Sequence, residues 1–171
     1  MGLANIIPVE EWTALEEELY ALCGMNVRVY NQEGKHITPH EGWANTLCPL
    51  IRSKREGLMT VCSVAQQNAS AQARKSKAPV MSECDAGLVK FVVPIFQGDE
   101  FLGTIGGCGY RNPDVDVETD LLHDITGVDL DELTQEASSV GLLTEEKAAE
   151  LMNHFQERLY AILARTQNST D

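Results

Sequence analysis

Cysteines are the residues of this chain best suited to chemistry, and four of the five fall at distinctive places. Cys48 stands where a helix begins, Cys62 inside a helical stretch, Cys84 at a strand end, and Cys108 in a glycine-rich strand. Their separations of fourteen, twenty-two and twenty-four residues contain no Cys-x-x-Cys pair, so spacing alone is weak evidence for a shared metal site. Four thiolates without a carboxylate partner would suit zinc or an iron–sulfur cluster rather than calcium or magnesium. A helix N-terminus beside Cys48 is expected to lower its pKa. The plain alternative is that these cysteines are small buried hydrophobes, and Cys23 is read that way.

Other chemistry is thin. His36, His40, His123 and His154 are scattered, and neither His-Glu-x-x-His nor Gly-x-Ser-x-Gly occurs. A thiol enzyme with Cys84 as nucleophile is the rival reading. It lacks an adjacent histidine, and the neighbouring Asp85 would raise the thiol pKa, so a non-enzyme is expected. The glycines from Gly103 to Gly109 superficially suggest a phosphate loop but lie within a strand pattern and lack the Lys-Ser/Thr ending. The acidic stretch from Asp114 to Asp131 has no EF-hand spacing and reads as a solvated face.

The elements that must position these residues alternate between helix and strand. Val9, Trp12, Leu15, Leu19 and Leu22 share one helical face, and Gly24 suits the stop. Asn26 to Tyr30 alternates as a strand, with a short second strand predicted at Lys35 to Thr38. Pro49 is placed at the first position of a helix, and Gly57 is expected to separate it from a longer one carrying Cys62. Val80 to Cys84, Leu88 to Phe96 and Phe101 to Tyr110 read as strands, the last two closed by a tight turn at Gln97-Gly98-Asp99-Glu100. Strand alternation puts Leu102, Thr104, Gly106, Cys108 and Tyr110 on one face. Glycines in that strand imply either close approach of a ligand to its backbone or a helix packed against it.

Short helices are predicted near Glu118 to Ile125 and Leu130 to Ala137, before a final helix starting at Thr144. Its apolar stripe, from Ala148 through Leu151, Phe155 and Leu159 to Leu163, either covers the core or pairs with a second copy as a homodimer. The expected organisation is a sensory domain over residues 1–142 and a signalling or dimerisation helix with a polar tail over 143–171.

Composition narrows the functional class. Thirteen Lys and Arg against twenty-six Asp and Glu leave a formal charge of −13, which disfavours direct binding to nucleic acid or to anionic membrane surfaces. The N-terminus lacks a basic segment ahead of its broken apolar run, and no stretch reaches the roughly 18 apolar residues of a membrane span. A soluble, cytoplasmic protein with reduced thiols is expected.

The segment from Cys48 to Tyr110 resembles the PocR family of bacterial and archaeal sensory domains. The resemblance is carried by Cys48-Pro49-Leu50-Ile51-Arg52, Cys62, Ala78-Pro79-Val80 and the box Glu83-Cys84-Asp85-Ala86-Gly87-Leu88. It continues through Val93-Pro94-Ile95, Leu102-Gly103-Thr104 and Gly106-Gly107. It implies an α+β fold related to PAS and GAF domains, an antiparallel sheet flanked by helices with a long C-terminal helix. It also implies a sensor of small organic compounds, in a family whose members sit beside a histidine kinase, a PAS module or a DNA-binding region.

Asp85 stands where the family more often has His, and Cys108 where it more often has Gln; the second departure adds a fourth thiol. The expected protein is therefore a stand-alone sensor, signalling in trans to a histidine kinase or transcription regulator. Its ligand pocket is expected from Trp43, Asp85, Gly106, Gly107 and Tyr110. Its metal or cluster is expected on Cys48, Cys62, Cys84 and Cys108, with a small organic ligand as the other candidate occupant. A structural interaction module with inert buried cysteines is the remaining alternative.

Overall fold

A computed structural model describes residues 1–168. Of the expected polar tail, residues 169–171 lie outside the described residues. Four antiparallel strands, β1 (Asn26–Asn31), β2 (Val80–Glu83), β3 (Val89–Gln97) and β4 (Glu100–Tyr110), form one open sheet in the order β1-β4-β3-β2. Helices cover both faces. The mixed architecture, the antiparallel sheet and the long last helix agree with the fold class read from the sequence.

One face carries the larger core. A short helix, α1 (Leu3–Ile6), leads into α2 (Val9–Cys23), which buries Trp12, Leu15 and Leu19 against Val27 and Val29 of β1. Gly24 ends α2 at φ 69°, a left-handed cap that glycine adopts without a Cβ penalty. The last helix, α8 (Glu145–Gln167), is capped by Thr144, whose hydroxyl accepts from the Lys147 N–H. Its stripe of Ala148, Leu151, Phe155, Leu159 and Ile162 lies in the same core. Phe155 meets Phe91 of β3 edge to face, 4.8 Å between ring centroids. Of the two roles weighed for this stripe, covering the core is the one the fold displays.

On the opposite face the chain runs through α3 (Leu47–Ser53), the single turn α4 (Arg55–Gly57), a π-helical turn (Leu58–Ser63) and α5 (Val64–Ser76). Two short helices, α6 (Thr119–Thr126) and α7 (Leu130–Ala137), close a second core around Leu47, Ile51, Val61, Leu88, Leu122 and Leu133. Pro49 is the third helical residue rather than the first, because α3 already starts at Leu47. The break before the π turn falls at Lys54, whose backbone is extended (φ −99°, ψ 129°). Gly57 is helical, and what it provides is proximity: a Cβ there would stand 2.2 Å from the carbonyl oxygen of Ile51.

Two further expectations are corrected. Lys35 to Thr38 is no strand and makes a single bridge, Tyr30 to His36. Two backbone bonds tie it to β1, Asn31 N–H to the Lys35 carbonyl (2.9 Å) and Ile37 N–H to the Val29 carbonyl (3.1 Å), and a side chain reinforces them. The fully buried Glu16 carboxylate of α2 accepts from the Val29 N–H (2.6 Å), bonds His36 Nε2 (3.0 Å) and accepts from the Thr38 hydroxyl. The alternation of β4 also fails at both ends. The β3–β4 register skips Leu102 and Gly109, so each occupies a bulge. Thr104, Gly106 and Cys108 remain toward the second face, whereas Leu102 and Tyr110 turn into the first core. Gly109, at φ 109°, supplies the conformation that the bulge requires.

Candidate functional site

The bulge at Gly109 is one side of a cavity that gathers the four cysteines. Asn45 supports that side from behind, bonding both Gly109 and Cys48. Its Oδ1 accepts from the Cys48 N–H (2.7 Å), an Asx-type cap on α3. Its Nδ2 donates to the Gly109 carbonyl (2.7 Å) and reaches Cys48 Sγ at 3.3 Å. Asn26 of β1 plays the matching part. Its Oδ1 accepts from the Ala44 N–H (2.7 Å), and its Nδ2 lies 3.7 Å from Cys108 Sγ. Two amides thus tie the loop before α3 to β1 and β4 and place donors at two of the sulfurs.

Cys62 comes from the π turn, a widened helical geometry that recurs at functional sites. Cys84 follows β2, held by its N–H to the Leu88 carbonyl (2.9 Å) and by the Gly87 N–H to its own carbonyl (2.9 Å). Cys48, Cys62, Cys84 and Cys108 all line one cavity of ≈ 40 Å³ between the sheet and the α3–α5 layer. A water needs roughly 10–15 Å³ on the same measure, so the space suits a compact occupant.

Burial dominates the electrostatics of the thiols. It pushes Cys48 up to about 12, with Cys108 adding to the effect and the Asn45 and Asn26 amides opposing it. Burial likewise raises Cys62 to about 11, against the pull of Arg52. Cys84 is raised by the same cause, opposed by its bond with Leu88. The expected lowering at Cys48 is therefore corrected: a seven-residue helix supplies too little stabilisation to offset removal from water.

Three cations share the wall. Arg28 donates to the carbonyls of Val27 (2.9 Å) and Gly42 (3.2 Å), and its guanidinium lies 5.0 Å from the Trp43 ring centre. Arg52 approaches the same ring at 5.9 Å, and Lys90 stands 5.9 Å from the Tyr30 ring. Arg28 and Lys90 are only 5% and 7% exposed. No carboxylate lines the cavity, and among the described residues none of the three cations is in an ion pair. Burying a charge without a counter-charge is costly, and cation–π contact returns only about 0.5–2 kcal/mol.

Of the residues proposed for the pocket, Trp43 lines it and four do not. Asp85 is exposed in the turn between Cys84 and Ala86. At Gly106 the space for a side chain is taken by the Phe91 carbonyl, 2.2 Å from an ideal Cβ. At Gly107 it is taken by Met25 and Phe91 on the other face, and the Tyr110 hydroxyl donates to the Cys23 carbonyl (3.1 Å). The glycines of β4 thus admit neighbouring protein rather than a ligand. Sequence reading missed Asn26, Arg28, Tyr30, Asn45, Arg52 and Lys90. Two signals were present: Asn45 sits three residues before Cys48, and Lys90 interrupts an otherwise apolar strand.

Among the described residues, no three His, Cys, Asp or Glu side chains stand close enough to hold one metal ion. A single tetrahedral zinc does not fit the sulfurs as they are placed. The four cysteine sulfurs are, among the described residues, the only Cys, His, Asp or Glu donors that line the cavity.

No helix among the described residues is long and apolar enough to cross a membrane. No curated protein and no solved structure matches the chain. The family model described as the sensory domain found in PocR matches residues 5–166, from α1 into the last turns of α8. That family is one of sensory domains rather than enzymes. The chain belongs to the PocR sensory-domain family.

Proposed function

We propose that this sensory domain senses through the four-cysteine cavity, where Cys48, Cys62, Cys84 and Cys108 hold an iron–sulfur cluster. The observation that carries the reading is convergence: cysteines from four separate elements line one cavity of ≈ 40 Å³. Charge supports it as well. A cluster held by four thiolates is anionic, and Arg28, Arg52 and Lys90 face the cavity with no carboxylate among its lining.

A bound cluster would supply one-electron redox chemistry, with a potential set by the charge and hydrogen bonds around its sulfurs. The chain's own part is to shape that environment. Asn45 and Asn26 direct amide donors at Cys48 and Cys108, the cations offset thiolate charge, and the α3–α5 layer excludes water. Output would pass through the sheet to α8 on its far side, and from there to a signalling module such as a histidine kinase or transcription regulator.

Anaerobic reconstitution with iron and sulfide, followed by desalting and metal analysis, tests the assignment. Iron and sulfide should be retained by the wild type and by Cys23→Ser, and lost from Cys84→Ser and Cys108→Ser. Retention of zinc alone would keep a thiolate site but overturn the cluster. Metal-free protein under every condition would overturn both.

A further inference from the structure

Lys90 is left without a partner for its charge. It stands in β3 opposite Cys108 of β4, so the two side chains share a face, and both line the four-cysteine cavity. Lys90 is only 7% exposed, yet among the described residues its ammonium is in no hydrogen bond and no ion pair. Two unpaired polar side-chain atoms among those residues are sealed from water, His40 Nε2 and Gln66 Oε1, and Lys90 Nζ is not one of them. The ammonium is therefore open to a molecule the size of water, and the space beside it is the cavity. Its surroundings agree: the Tyr30 ring centre lies 5.9 Å away, and its charge favours the thiolates of Cys62 and Cys84.

An ammonium donates three hydrogen bonds and accepts none, so its complement is an acceptor, and in a buried site a charged one. The protein supplies no such group, since no carboxylate lines the cavity. Arg28 adds to the excess of positive charge: it lines the same cavity, and its guanidinium bonds only the neutral carbonyls of Val27 and Gly42. Space limits the complement to a few heavy atoms, because ≈ 40 Å³ is room for about three waters. The remaining wall is apolar where Val61, Ala65 and Leu88 form it. The fitting occupant is small and anionic, with one apolar end.

We propose that in the chain without a cluster the cavity holds a small monocarboxylate of the acetate class. Its oxygens bond the Lys90 ammonium, and its carbon end packs against Val61, Ala65 and Leu88. The acid supplies the counter-charge that the fold lacks, and a charge-assisted bond in a water-poor site is the strong kind. Cluster and acid use one space, so each excludes the other. The site goes beyond the cluster reading and does not rest on it.

Titration calorimetry on the full chain, freed of metal by chelator and kept reduced, tests the proposal with acetate, its neutral counterpart acetamide, and the longer butyrate. Acetate should bind at least about tenfold tighter than acetamide, the difference expected of a hydrogen bond to a charged group. It should also bind about tenfold tighter than butyrate, whose extra carbons overfill the cavity. Chloride at the same concentration should leave acetate binding unchanged. Lys90→Met replaces the ammonium by an apolar side chain and should abolish the preference for acetate over acetamide. The variant should melt no lower than wild type in acid-free buffer, because it removes a buried charge that has no counter-charge. Equal affinity for acetate and acetamide, equal affinity for acetate and butyrate, displacement by chloride, or no binding of acetate overturns the proposal on wild-type protein alone. A preference that survives in Lys90→Met overturns it too. Iron and sulfide content after reconstitution tests the cluster separately. Acid selectivity in a chain that never retains iron sustains this site and removes the cluster, and iron retention by a chain without acid selectivity does the reverse.

Discussion

Raising the pH should unfold the metal-free protein in a way that its buried cysteines control. Cys48 is held up at about 12 and Cys62 at about 11, against an ordinary value of 9.0. Above that ordinary value an unfolded chain releases both protons while the native state keeps them. Native protein then binds more protons than unfolded protein, so stability falls as pH rises. Below the ordinary value the two states bind equally and the contribution is constant. Each thiol costs about 1.4 kcal/mol per pH unit across its window, or about 2 kcal/mol by roughly pH 10.5 and about 4 kcal/mol for the pair.

Urea unfolding with chelator and reductant, from about pH 8.5 to about pH 10.5, reads the slope. Lysines and tyrosines titrate in the same range, so the informative quantity is the difference from Cys48→Ala and Cys62→Ala. Each variant should lose the contribution of its own thiol, flattening its pH profile by about 1 kcal/mol per unit. Identical slopes in wild type and both variants would show that the thiols are not held protonated by burial, and the electrostatic account of the cavity would fail.

Two further outcomes follow from the packing. Glu16→Ala should lower unfolding stability by about 2–4 kcal/mol, because it strips the buried Val29 N–H and the Thr38 hydroxyl of their acceptor; Glu16→Gln, which keeps one, should cost less in the same denaturant titration. Truncation before Thr144 should give aggregated rather than soluble monomeric protein in size-exclusion chromatography. It would expose the surface that Leu151, Phe155, Leu159 and Ile162 cover, burial worth about 6–12 kcal/mol for four large side chains and comparable to the whole stability of a domain. A well-behaved truncated monomer would instead point to a helix free for pairing.

Much of the fold was legible because periodicity and punctuation agreed. The stripe of α2 with Gly24 behind it, the tight turn at Gly98-Asp99, and the Thr144 cap each fixed an element from local physics. The cysteines were legible as a group, and the cavity does gather all four. Strict alternation along β4 misplaced Tyr110, which the bulge at Gly109 turns to the far face; Gly106 keeps its face, but the Phe91 carbonyl fills the space beside it, and Asp85 is exposed in a turn. The cations were missed for a related reason. Polar residues alternating along β1, such as Arg28, look like a solvent face, and only the long-range placement of α3 to α5 shows that they are buried. Glu16 shows the same limit, since nothing local marks a glutamate in an acidic helix as the buried clasp of a loop twenty residues on.

The central claim is that four cysteines hold a cluster. The most direct measurement is the iron and acid-labile sulfide content, with the visible absorption spectrum, of protein purified without oxygen. The account predicts coloured protein with stoichiometric iron and sulfide, bleached by Ser at Cys48, Cys62, Cys84 or Cys108 and unchanged by Ser at Cys23. Colourless protein without iron, or colour that survives the loss of any one of those four thiols, would contradict it.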